Sequence, residues 1–421
     1  QKSATYYGAT RFFTDGCSYF FISIARDSAD AVKKRMTQPD KASVGLVQPE
    51  VFSYNKSFEL CSGEKLPSFE IVYETYGTLN DKKDNAILIC HALSGDHHAA
   101  GYHSELDLKP GWWENCIGPN KPIDTNKFFV VSSNNLGGCG GSTGPTSLNP
   151  KSKKPYGSDF PAVLVKDWVN SQKLLAEELE ISRWLAVIGG SLGGMQAMQW
   201  TIDYPEQVGH AVVIASAAKL TAQNIAFNEL AREAITSDPN FRSGDYLESN
   251  TQPNKGLMLA RMIGHVTYLS DDGMDTRFGR DITSTDSTGA GGAKFEVENY
   301  LHHQGHSFTR RFDANTYILM TKALDYFDPA KETNDNLSEA FINAKSKFLV
   351  VSFSSDWRFP VARSKEITDA LVQADKDVSH IIVETDKGHD SFLLPIDRYT
   401  KAMSAFLNQA YISKTKEYTA L

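Results

Sequence analysis

The chain has 421 residues, with 43 Lys plus Arg against 51 Asp plus Glu, a formal charge of −8 and a pI near 5.8. That balance argues against the basic face of a nucleic-acid binder, and no stretch reaches the roughly 20 apolar residues that span a bilayer. Five scattered cysteines (Cys17, Cys61, Cys90, Cys116, Cys139) without CxxC spacing fit a reduced, cytoplasmic protein rather than a disulfide scaffold.

Residues 1–35 look foreign to the rest. Their apolar run "CSYFFISIA" (17–25) is too short to span a membrane, and no small-residue cleavage site follows it cleanly. "MTQPDKASVG", from Met36, reads like an ordinary polar N-terminus. Residues 1–49 are therefore expected to be an N-terminal extension, with 1–35 an upstream segment to which no function is assigned.

From Phe52 the pattern becomes regular. "SFELCSGEKLPSFEIVYETYG" alternates around a turn, as paired strands do. "NAILICHAL" (85–93) and "KFFVVSSNNLGG" (127–138) are continuous apolar runs of the buried parallel-strand kind. "LVKDWVNSQKLLAEELEI" (164–181) has helical spacing. "RWLAVIGGS" returns to strand, "GMQAMQWTIDYP" to a helix stopped near Pro205, and "HAVVIASAA" (210–218) to strand. Strands alternating with helices imply a mostly parallel sheet covered on both faces.

From about Lys219 to Ala340 the strands stop. "NIAFNELAREAI", "GLMLARMIGHVTYL" and "TYILMTKALDYF" read as helices, and "TSTDSTGAGGA" (283–293) as a loop. Strands resume at "SKFLVVSFSSD" (346–356) and "SHIIVETDKGHD" (379–390), and "YTKAMSAFLNQAYI" reads as a covering helix. The expected architecture is an α/β core, 50–218 and 341–421, interrupted by an all-helical lid, 219–340.

Gly189-Gly190-Ser191-Leu192-Gly193 fits G-x-S-x-G. A nucleophilic serine on a sharp strand-to-helix turn needs small neighbours for the close backbone pass, and the helix N-terminus aims amides at a developing oxyanion. Alone, the motif also fits a structural glycine turn. Its place between a β-branched run and a helix favours Ser191 as nucleophile. The base and its orienting acid should follow in the order acid, then histidine. Asp356 and His389 each follow a predicted strand, where a parallel sheet delivers loop residues to one edge. The Leu192 amide is the first candidate oxyanion donor, and Leu93, in "HALSGD", is the second. His302, His303 and His306 have helical spacing but no matching carboxylate or cysteine cluster. No metal or bound cofactor is expected, since serine chemistry requires neither. Cys139, in "GGCGGST", lacks a paired base and reads as part of a close-packed loop.

These residues resemble those of the homoserine O-acyltransferases of the α/β-hydrolase superfamily, from about residue 50 to 410. "YETYGTLN", "CHALSGDHH", "NNLGGCGGSTGPTSLNP", "GGSLGGMQAMQW", "LARMIGHVTYLS", "RFDANTYILMTKALDYFD" and "KGHDSFLL" carry the similarity jointly. The resemblance implies a Ser191–Asp356–His389 triad, Arg261 and Asp390 as substrate-binding residues, and a homodimer in methionine biosynthesis. A charge argument agrees, because zwitterionic homoserine needs a cation for its carboxylate and an anion for its ammonium. The family divides by acyl donor at "SSDWRFP" (354–360). Succinyl-transferring members have arginine at the position of Arg358, and a buried succinyl carboxylate needs such a partner. The reading is transfer from succinyl-CoA to L-homoserine through an acyl-serine. Acetyl-CoA is the alternative donor, and a serine O-acyltransferase or an esterase lies further off.

Overall fold

The computed structural model of the protein describes residues 41–249, 251–284 and 294–419. The segment 1–35, and all but the first two residues of the predicted loop 283–293, lie outside them.

Eight strands form one sheet: β1 (Glu50–Tyr54), β2 (Phe69–Tyr76), β3 (Ala86–Cys90), β4 (Phe129–Ser133), β5 (Trp184–Gly190), β6 (Val208–Ile214), β7 (Lys347–Phe353) and β8 (Val378–Val383). Their spatial order is β1-β2-β4-β3-β5-β6-β7-β8. β2 runs antiparallel to both neighbours, and all remaining pairs are parallel. Every residue of β3 and β5 is buried, which is why these strands read as unbroken apolar runs: a central parallel strand has no solvent face.

Two cores flank the sheet. On one side α1 (Val165–Glu178) and α2 (Leu192–Asp203) bring Trp168 and Trp200 into contact with strand residues such as Val187 and Val213. On the other, the last helix, α10 (Asp397–Thr419), contributes Tyr399, Met403 and Leu407 beside Ile188, Val212 and Trp113. Between α2 and α10 the chain forms α3 (Ala222–Thr236), α4 (Asn254–Tyr268), α5 (Asp271–Phe278), α6 (Glu296–Thr309), α7 (Ala314–Tyr326), α8 (Leu337–Ala340) and α9 (Val361–Gln373).

Register places the site. Gly190 of β5 pairs with Ile214 of β6, and Ile214 with Val351 of β7. The chain therefore leaves β3, β5, β7 and β8 at one common edge, where loop residues converge. Between β6 and β7 the chain makes α3 to α8. α3 packs on α4, and α4 on α6. The expected all-helical character needs one correction. Ile282–Ser284 pairs antiparallel with Lys294–Phe295, strands too short to leave a period-two signal.

Candidate active site

The turn after β5 is built by steric necessity. Ser191 has φ 57° and ψ −120°, a strained backbone that persists only where its surroundings over-determine it. A Cβ on Gly189 would lie 2.2 Å from the Gly193 carbonyl, and one on Gly193 would lie 2.0 Å from the Cys90 oxygen. Strand, turn and helix pass too closely for any other residue. The Ser191 amide donates to Ile214 O at 2.9 Å, and Ser216 Oγ donates to Ser191 O at 2.8 Å, so the turn is clamped from β6 and beyond.

His389 and Asp356 meet in the interior. Nδ1 of His389 lies 2.7 Å from Asp356 Oδ2, and the Phe359 amide donates to Oδ1 at 2.8 Å. Both side chains are buried. The histidine ring packs against Phe359 and Phe392, and a Cβ on Gly190 would strike the Phe392 ring at 2.6 Å. Phe392 thus sets the histidine turn against the serine turn. Among the described residues the Ser191 hydroxyl makes no hydrogen bond; such bonds commonly tighten only with substrate bound. Gly388, at φ 69°, has Tyr268 O only 2.5 Å from where a Cβ would sit, so only glycine lets this turn pass beneath α4.

Leu93 follows β3 and Leu192 opens α2. Neither amide has an internal acceptor among the described residues. The Leu93 loop is pinned by His91, whose Nδ1 donates to Ala92 O at 2.7 Å while Nε2 accepts from the Asn135 amide. Burial holds His91 below the usual histidine range, so the ring is neutral and this tautomer is fixed.

The predicted binding residues gather around a ring that sequence reading did not single out. Tyr268 lies 5.7 Å from the Arg261 guanidinium, 5.5 Å from that of Arg358 and 5.9 Å from the His389 ring. Arg358 is buried. It donates from Nη1 to Thr267 Oγ1 at 2.8 Å and from Nη2 to Asn228 Oδ1 at 3.1 Å. No carboxylate lies within salt-bridge distance of it among the described residues, so it neither points to solvent nor pairs with Asp356. Arg261 stacks on Phe308 at 4.7 Å and donates to Ser94 Oγ at 3.2 Å. Asp390 is half-buried beside them. Desolvation raises its carboxyl pKa, while His389, Arg261 and Arg358 pull it down.

Arg311 was also missed. It donates to Ser94 O at 2.9 Å and shares Phe308 with Arg261. Desolvation and the Arg261 charge hold it below the ordinary arginine range. Cys139 half-buries beside it, with its thiol pushed up to about 11 by burial, the opposite of an activated nucleophile. His302, His303 and His306 are exposed on α6. A different group, Glu74, His97 and His103, brings a carboxylate and two imidazoles together.

A family profile described as alpha/beta hydrolase fold matches residues 85–394. A homoserine O-succinyltransferase of Pseudomonas fluorescens (strain Pf0-1) is 60% identical over 368 residues, covering 87% of this chain and 97% of the relative. The chain belongs to the homoserine O-succinyltransferase family. Among solved structures, a homoserine O-acetyltransferase from Bacillus anthracis superposes with a TM-score of 0.80 at 30% identity, over 86% of this chain and 98% of that one. Esterase E22 superposes at 0.79 and 31%, over 86% and 100%. The architecture is thus shared with a homoserine O-acetyltransferase and an esterase, so the fold alone does not choose among these activities.

Proposed function

We propose that this protein transfers a succinyl group from succinyl-CoA to the hydroxyl of L-homoserine, with Ser191, Asp356 and His389 as the triad. His389 takes the Ser191 proton as the serine oxygen attacks the thioester carbon. The oxyanion accepts from the Leu93 and Leu192 amides. The carbon–sulfur bond breaks, and coenzyme A leaves with the proton carried by His389. The homoserine hydroxyl, deprotonated by the same imidazole, then attacks the succinyl-serine and regenerates Ser191. Asp356 holds the imidazole tautomer throughout.

Homoserine recognition falls to Arg261 for the carboxylate and Asp390 for the ammonium, with Arg311 beside the former. The helical segment 219–340 acts as a lid that keeps water from the acyl-enzyme. A cytoplasmic dimer is part of this reading. The dimer is supported by Leu230, Leu259 and Val266, exposed apolar residues on α3 and α4, and the reducing compartment by the free thiols of Cys61, Cys90, Cys116 and Cys139.

The observation that carries the choice of acyl group is Arg358, a buried cation that makes no ion pair among the described residues. A succinyl carboxylate supplies that partner; an acetyl group does not. The test offers purified protein succinyl-CoA or acetyl-CoA, each with and without homoserine. Homoserine-dependent release of coenzyme A from succinyl-CoA, with little from acetyl-CoA, is expected. Preference for acetyl-CoA overturns the donor assignment, and ester hydrolysis indifferent to homoserine overturns the transferase reading.

A further inference from the structure

Glu74, on β2, is a fully buried carboxylate in a part of the molecule that the proposed acyl transfer does not use. Three histidines from one short loop, residues 97–103, surround it. Its Oε1 faces His103 Nε2 at 2.5 Å and His97 Nε2 at 3.7 Å. Tyr76 donates to its Oε2 at 2.6 Å, and His98 Nδ1 straddles both oxygens, 3.1 Å from Oε2 and 3.2 Å from Oε1. The Tyr76 hydroxyl in turn accepts from the Ala99 and Ala100 amides. Tyr76 and His98 therefore orient the carboxylate, and its Oε1 is turned toward the His103 and His97 ring nitrogens.

His97 is the anomaly. It is buried, Nδ1 has no hydrogen-bond partner among the described residues, and Nε2 stands beyond hydrogen-bonding distance of Glu74. The buried Nδ1 is the costly one, while Nε2 makes no hydrogen bond among the described residues and faces Glu74 Oε1. Nε2 is thereby left available to take a ligand beside that carboxylate oxygen.

We propose that Glu74, His97 and His103 bind one divalent transition-metal ion of the zinc type. The three donor atoms lie within 4.8 Å of one another. Two imidazoles and a carboxylate suit zinc, cobalt or nickel, whereas calcium and magnesium prefer all-oxygen shells. A tetrahedral ion keeps a fourth position for water. Tyr76 and His98 supply the outer hydrogen bonds that orient a ligating carboxylate. On binding, the proton that His103 Nε2 shares with Glu74 is released to solvent and the ion takes its place. The ion would fasten the loop of His97 and His103 to β2. Leu93 lies a few residues upstream on that loop, so the site braces one of the proposed oxyanion donors without touching the reacting atoms.

The test uses the full chain without an affinity tag, stripped with chelator, dialysed against micromolar zinc and measured for metal by mass spectrometry. About one equivalent per chain is expected, with a rise in Tm on zinc addition. His103→Gln is the decisive variant, because its ring is partly exposed and its loss spares the buried carboxylate. Its zinc content should fall at least about tenfold, with an unchanged circular dichroism spectrum. His97→Ala should behave likewise. Cobalt(II) titration should give the intense visible bands of a four-coordinate site in the wild type alone. Zinc content far below one equivalent in the wild type overturns the proposal. So does undiminished content in both variants, which would place the metal elsewhere, as on exposed His302, His303 and His306.

Discussion

Arg358 and Arg261 flank the same tyrosine ring, at 5.5 and 5.7 Å, yet they are held in opposite ways. Arg358 comes from the core, on the loop that carries Asp356, and plugs into the helical segment. Thr267 and Asn228 fix its guanidinium through neutral acceptors, and Asn224 donates to its backbone carbonyl. Arg261 comes from the helical segment itself. One hydrogen bond and an aromatic face hold it, and Arg311 crowds it at Ser94 and Phe308. The first cation is held by two neutral acceptors and makes no ion pair among the described residues. The second belongs to a pair whose repulsion a bound anion would relieve. A rigid corner tied to the triad loop suits a choice of acyl group; a crowded corner on the lid suits capture of a carboxylate that must enter and leave.

Removing the proposed nucleophile, which both corners would serve, should have the largest effect. Ser191→Ala should lower turnover about 10⁴-fold or more with either donor, while homoserine binding by calorimetry persists. Near-normal turnover would reject the acyl-serine mechanism. Next, Arg358→Leu should lower kcat/KM for succinyl-CoA by roughly tenfold to a hundredfold, the scale of one charged hydrogen-bond pair. Acetyl-CoA use should change little, and an equal loss with both donors would erase the distinction between the corners. Arg261→Gln or Arg311→Gln should raise KM for homoserine about tenfold with either donor, since Arg261 and Arg311 share the load.

The smallest effect concerns stability. His265, on α4 one turn beyond Arg261, is buried, and its pKa is lowered to about 3 by desolvation and by the charges of Arg261, Arg311 and Arg277. Below its ordinary value near 6.5 the unfolded chain binds a proton that the folded chain refuses. Stability should therefore fall as pH drops from 6.5 toward 3, by up to roughly 1.4 kcal/mol per pH unit from this group. His265→Gln should flatten that limb in chemical denaturation at pH 5 against pH 7. An unchanged slope would place the acid sensitivity elsewhere than in the cationic corner.

Much of the frame was legible because its signals are local. Buried β3 and β5 are continuous apolar runs, and the glycines about Ser191 lie within five residues of one another. Asp356 and His389 could be placed at strand ends by chain order. Tyr268 could not, because a tyrosine in an amphipathic helix carries no mark of the three groups that converge on it. Arg311 was quoted within a motif yet not selected, since one arginine among many has no sequence signal for proximity to another. The histidines at 97, 98 and 103 lie close together in sequence and were not singled out, because Glu74 is 23 residues before the first of them, on a strand that only the fold brings to their loop.

The sequence by itself determined the strand–turn–helix at Ser191, the alternation that makes a parallel sheet, and the long interruption between β6 and β7. Each of these is governed by backbone sterics or by burial periodicity over a few neighbouring residues. Only the tertiary structure decided which charges meet. The 2.7 Å contact of His389 with Asp356 depends on two parallel strands being laid side by side, the seating of Arg358 between Thr267 and Asn228 on helices packed over the sheet, and the ring of histidines around Glu74 on a loop folded back over an antiparallel strand. Electrostatic and hydrogen-bond partners are set by distance in space, and that distance does not exist until the sheet has closed its order.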